Sequence, residues 1–95
     1  MPNAEDSAPW GVYPCRGGWC AIEAATDEHW QYLTVAMGHP ELMAYPDYVS
    51  AALRVKNRAA VDAHAREWTE TVTPDEAVRA LMAVGVPARV LDGPG

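Results

Sequence analysis

The chain has no phenylalanine, only two cysteines, seven basic residues against thirteen acidic ones, and no long apolar run. Each shortage excludes something. Without about 18 or more consecutive apolar residues there is no membrane-spanning helix. A formal charge of −6 argues against a nucleic-acid backbone or an anionic membrane as partner, both of which need clustered Lys and Arg. Two cysteines in 95 residues are no disulfide scaffold, and a chain of this length buries enough core to fold without one. The stretch MPNAEDSAPW has neither a basic n-region nor an apolar h-region, so a cytoplasmic location is expected.

What is present is an ordinary globular composition, 49% hydrophobic, in which four tryptophans and four tyrosines supply the aromatic bulk. Residues 1–9 are polar and proline-containing and read as a flexible lead, residues 10–92 as one domain, and residues 93–95 as a tail. Val12 to Cys15 and Trp19 to Ala24 are rich in β-branched and aromatic residues, and Arg16-Gly17-Gly18 between them has turn chemistry, so a β-hairpin is expected. Thr26 followed by Asp27 and Glu28 is an N-cap with charges matched to the helix dipole. The helix it opens carries Trp30, Leu33 and Met37 at helical spacing and stops at Gly38-His39-Pro40.

Glu41 to Leu53, interrupted by Pro46, reads as a helical turn and connector with Asp47 or Ser50 as caps. Asn57 is expected to cap a second main helix with the stripe Val61, Ala65, Trp68, Val72. Thr73-Pro74-Asp75-Glu76 combines a capping box with a proline at N1, and Ala77, Ala80, Leu81 and Val84 form the buried face of the helix that Gly85 ends. Val86 to Leu91 reads as a final strand. The layout is β-β-α-α-α-β, an α+β domain in which a small, mainly antiparallel sheet packs against about three helices.

Residues able to do chemistry are sparse. Cys15 and Cys20 flank the turn and are expected to face each other as reduced, half-buried thiols. Joined with His29 or His39 they match no zinc spacing, so no metal is expected. His39 and His64 read as solvated, and Glu23 as a solvent-facing strand residue. Trp30 and Trp68 lie on apolar stripes and read as core, whereas Trp10 and Trp19, at the edge of the hairpin, are candidates to face a partner. No Ser or Cys has a base and an orienting group that the sequence assigns, so catalysis by this chain alone is unsupported.

Gly11 to Trp30 (GVYPCRGGWCAIEAATDEHW), AMGHPEL at Ala36 to Leu42, LRVKNRAAVDA at Leu53 to Ala63 and EWTETVTPDEAVRALMAVGVPA at Glu67 to Ala88 resemble, in order, the small, C-terminal-type domain of class III CoA-transferases. This is the family of formyl-CoA transferase, carnitine-CoA transferase and the acyl-CoA racemases. The resemblance runs from about Trp10 to about Leu91, and its specificity comes from the ordered set rather than from any single motif.

The resemblance implies that the loop Ala24-Ala25-Thr26-Asp27 approaches the cleft between a large and a small domain, near the thioester. Racemase members carry a glutamate in this loop, and the matching place here is Thr26. A threonine cannot serve as a carboxylate acid or base, which favours the transferase branch, and capping a helix is an equally complete account of Thr26.

The family's nucleophile is an aspartate of a large domain that has no counterpart here, and neither Asp27 nor Asp47 matches its motif. The implied partners are that large domain or subunit, in interlaced dimers, so a homodimer is also conceivable, and the implied cofactor is coenzyme A as substrate through the full enzyme. The excess of acid makes binding of that polyanion by this chain alone awkward. The alternative is a stand-alone binding or protein-interaction module descended from the family, without catalysis.

Overall fold

The hairpin forms where the turn chemistry puts it. In the computed structural model, which describes residues 5–91, strand β1 (Trp10–Cys15) pairs antiparallel with β2 (Gly18–Glu23) in the register Tyr13↔Cys20 and Cys15↔Gly18. The tight turn needs a residue with positive φ, and Gly17, at +81°, supplies it without a Cβ penalty. Strand β3 (Ala88–Leu91) adds antiparallel to β2, giving the sheet order β1-β2-β3. Between β2 and β3 run α1 (Asp27–Ala36), two short 3-10 turns over Pro40–Ala44 and Pro46–Tyr48, α2 (Ala51–Lys56), α3 (Arg58–Thr69) and α4 (Pro74–Ala83). The fold is α+β as expected, with the connector contributing an extra short helix, α2.

Strand alternation sorts the sheet into two faces. Tyr13, Cys20 and Ile22 are buried against the helices, together with Trp30 and Leu33 of α1, Val61 and Ala65 of α3, and Ala77 and Leu81 of α4. Trp30 is 1% exposed, and its ring meets Tyr48 edge-on at 5.7 Å. Burying an aromatic of this size removes roughly 150–250 Å² from water, worth about 4–6 kcal/mol as an upper bound. Tryptophan and tyrosine thus fill the places that phenylalanine leaves empty.

Local capping signals act as read. Thr26 Oγ1 accepts from the His29 amide, Ser50 Oγ accepts from the Leu53 amide, and the capping box of Thr73 and Glu76 is closed in both directions. Gly38 and Gly85 end α1 and α4 with φ of +79° and +84°. Asn57 corrects the expectation. Its side chain caps nothing on α3; the amide nitrogen donates to the carbonyls of Asp47 and Leu53, tying the end of α2 back to the 3-10 turn.

Part of the lead packs on the domain. Residues 1–4 and the tail at 93–95 lie outside the described residues, but Ser7, Ala8 and Pro9 are buried in the domain. Pro9 accepts a hydrogen bond from the Ala24 amide at 3.0 Å, and Ala8 accepts one from the guanidinium of Arg54. A carbonyl that pairs with a distant backbone or side-chain donor ties its segment to the fold.

Candidate functional site

The loop from Ala24 to Asp27 is fixed from three directions. Ala24 is 1% exposed and its amide is held by Pro9. The Ala25 amide donates to His29 Nδ1 at 3.0 Å, which leaves the proton of the neutral ring on Nε2. Thr26, in extended backbone, spends its hydroxyl oxygen on the His29 amide. Thr26 and Asp27 themselves face solvent, so the loop presents a hydroxyl, a carboxylate and an imidazole on a rigid edge. None of these is a preorganised nucleophile–base pair.

Asp27 leads to the residue that reading the sequence missed. Its Oδ1 accepts from Arg54 Nη2 at 2.7 Å, and while the Asp27 side chain is 56% exposed, that of Arg54 is 1% exposed. Arg54 Nε donates to the Ala8 carbonyl at 3.1 Å and Nη1 to the Tyr48 carbonyl at 2.9 Å, with the guanidinium carbon 5.8 Å from the centre of the Trp30 ring. A buried cation is tolerable only when paired and fully hydrogen-bonded, and here one carboxylate, two carbonyls and an aromatic face meet those needs. Arg54 therefore joins the lead, the candidate loop and the 3-10 turn into one unit. Its partners lie 46, 27 and 6 residues away in sequence, so local pattern carried almost no signal for this role.

The two candidate interface residues share the sheet face turned away from the helices. Trp10 sits opposite Glu23, and Trp19 lies between Pro14 and Leu91. Both tryptophans are half-buried, Val12 on the same face is 41% exposed, and Glu23 pairs with Arg89 at 3.1 Å. The face is apolar with an ion pair at its rim.

The cysteines lie on the other face and are not directly opposed as expected. Cys20 pairs with Tyr13 and Cys15 with Gly18, which makes the thiols diagonal neighbours, and both are free. Burial, then the neighbouring Cys15, pushes the Cys20 thiol up to about 12, and burial also raises that of Cys15. Neither is an activated nucleophile. Among the described residues no three His, Cys, Asp or Glu side chains gather as a metal site, and no helix is long and apolar enough to cross a membrane.

A groove of about 390 Å³ lies elsewhere, between the C-terminal end of α1, the Pro40–Ala44 turn and α3. His39, Glu41, His64, Glu67 and Trp68 line it. The loop and this groove occupy opposite ends of α1, ~15 Å apart along a helix of this length.

A family model described as CoA-transferase family III matches residues 2–94. The chain is similar to the probable CoA-transferase Rv1866 of Mycobacterium tuberculosis, at 38% identity over 91 residues, which covers 94% of this chain and 12% of that protein. It is also similar to the beta subunit of succinyl-CoA–L-malate CoA-transferase of Chloroflexus aurantiacus, at 32% identity over 89 residues, covering 93% of this chain and 22% of that one. Among solved structures, a CaiB/BaiF family protein from Brucella suis superposes with a TM-score of 0.86 at 30% identity, covering 94% of this chain and 24% of that one. Rv3272 of M. tuberculosis gives a TM-score of 0.81 at 26% identity over 88% of this chain and 24% of that one. The chain thus spans between an eighth and a quarter of the length of these proteins. With nearly all of its residues matched in both sequence and fold, the chain belongs to CoA-transferase family III.

Proposed function

We propose that this chain is the small domain of a CoA-transferase, covering the cleft in which CoA passes between an acyl-CoA and a carboxylic acid, while the catalytic aspartate stands on a large domain or subunit. The observation that carries this reading is the fixed loop Ala24–Asp27. Its backbone is held by Pro9, by His29 and, through Asp27, by the buried Arg54, while Thr26 and Asp27 stay exposed. A rigid edge of this kind suits a wall that positions substrate, because a misplacement of ~1 Å at a reacting centre costs about a hundredfold in rate. Threonine at position 26 supports transfer over racemisation, since no carboxylate stands there to move a proton.

Coenzyme A enters this reading as substrate of the assembled enzyme. At a net charge of −6 the chain is a poor host for a polyanion, so the cations that hold the phosphates belong to the partner. The apolar sheet face with Trp10 and Trp19 supports docking against that partner, as aromatics are enriched where interfaces are buried. Dimers of the whole assembly and a cytoplasmic location are in keeping with the same reading.

The test is complementation. The large domain of a succinyl-CoA-dependent relative, inactive alone, is mixed with this chain and assayed for CoA transfer from succinyl-CoA to malate. Activity restored by the parent chain and lost with Trp19→Ala supports the small-domain reading. Binding to that domain without any transfer, or no binding at all, favours a stand-alone interaction module.

A further inference from the structure

The groove at the far end of α1 plays no part in the transferase reading. We propose that it is a binding site for a small organic cation, a primary ammonium group on an apolar stem, with Glu67 as its carboxylate and Trp68 as its wall. Its volume of about 390 Å³ matches a small ligand. Met37, 6% exposed, and the half-buried Leu42 and Trp68 give it an apolar lining.

Charge selects the ligand. Along helix α3, Asp62 accepts from the Tyr13 hydroxyl and so faces β1, whereas His64, Glu67 and Trp68 line the groove. No Lys or Arg is among the described residues that line it. Glu41 is already engaged by His39 Nδ1 at 3.0 Å, and its own backbone amide, then His39, holds its carboxyl below the usual range. Glu67 stays the carboxylate open to a ligand.

The backbone adds to this field. Helix α1 ends at Ala36 beside Met37, and α3 ends at Thr69 beside Trp68 and Thr71, so residues at the C-terminal ends of both helices line the groove. Each such end bears about half a negative charge. The last turn of α1 holds no basic residue to cancel it, while that of α3 holds Arg66, which is not among the residues lining the groove. A cation over the Trp68 indole meets all three sources of negative potential at once.

The test is an NMR titration of the chain with n-butylammonium chloride at constant ionic strength, read at the Trp68 indole N–H and the amides of Glu67 and Thr71. Saturable shifts in the ~1–10 mM range are expected. Glu67→Gln should weaken binding up to about fivefold, the upper end for one exposed ion pair, while Asp75→Asn on α4 should leave it unchanged. Shifts that stay linear, equal saturation by n-butanol or n-butyrate, or parent-like binding by Glu67→Gln would each overturn the proposal.

Discussion

At Arg54 a full positive charge sits in the core, 1% exposed, and each of its contacts lies on a different segment. Removing it leaves the Ala8 and Tyr48 carbonyls without their donor and a hole beside Trp30. Arg54→Ala is expected to lower stability by about 2–5 kcal/mol, the range for truncating a large buried side chain, with two buried carbonyls left unpaired. Asp27→Asn is expected to cost less, because its side chain is 56% exposed and an amide oxygen can still accept. Urea denaturation of the two variants gives the comparison, and equal losses would show that the carboxylate rather than the three-way bridge matters. The cysteines make a second residue-scale case. Alkylation at pH 8 should reach Cys15 slowly and leave Cys20 untouched, as mass spectrometry will show, because burial lifts Cys20 from 9.0 to about 12. The sign follows from linkage: stability that rests on the protonated Cys20 is complete below pH ~9 and is lost as pH rises toward 12. A Cys20→Ala variant should have a flatter stability profile over that window.

Among the elements, the hairpin and α4 meet at a point no sequence pattern revealed. A Cβ built on Gly18 would come within 2.8 Å of Pro74 Cγ, so the glycine is needed for close approach of the hairpin to the N-terminus of α4. Gly18→Ala should therefore cost about 1–3 kcal/mol through overpacking. Adding Pro74→Ala should recover part of it, and a thermal-denaturation double-mutant cycle with no coupling would refute the contact. The same proline was legible for another reason, as the N1 residue of a capping box. That contrast shows what the sequence discloses. Thr26, Ser50, Thr73, Gly38 and Gly85 act within a turn of themselves, so their side-chain chemistry announces them. Asn57, Arg54 and the Ser7–Pro9 segment act across the fold. Their partners are set by packing, and an asparagine before a helix or a polar proline-containing lead reads as its commonest local use. The candidate loop was placed by resemblance to a family, whereas what holds it rigid, Pro9 and Arg54, was not legible at all.

Over the whole molecule, the family and fold account for nearly every residue of this chain but only a quarter or less of the proteins it resembles. Helices cover one side of the sheet, while the other offers two half-buried tryptophans and an exposed valine around the Glu23–Arg89 ion pair. An acidic chain with one such face and a held loop beside it fits the proposal that it completes something larger. Hydrogen exchange of this chain, measured with and without the large domain of a family relative, tests that claim most directly. The account predicts slowed exchange from Ala24 to Trp30 and along β1 and β2, with α3 and α4 little changed. Protection confined to residues 57–84, with Ala24 to Trp30 silent, would contradict it.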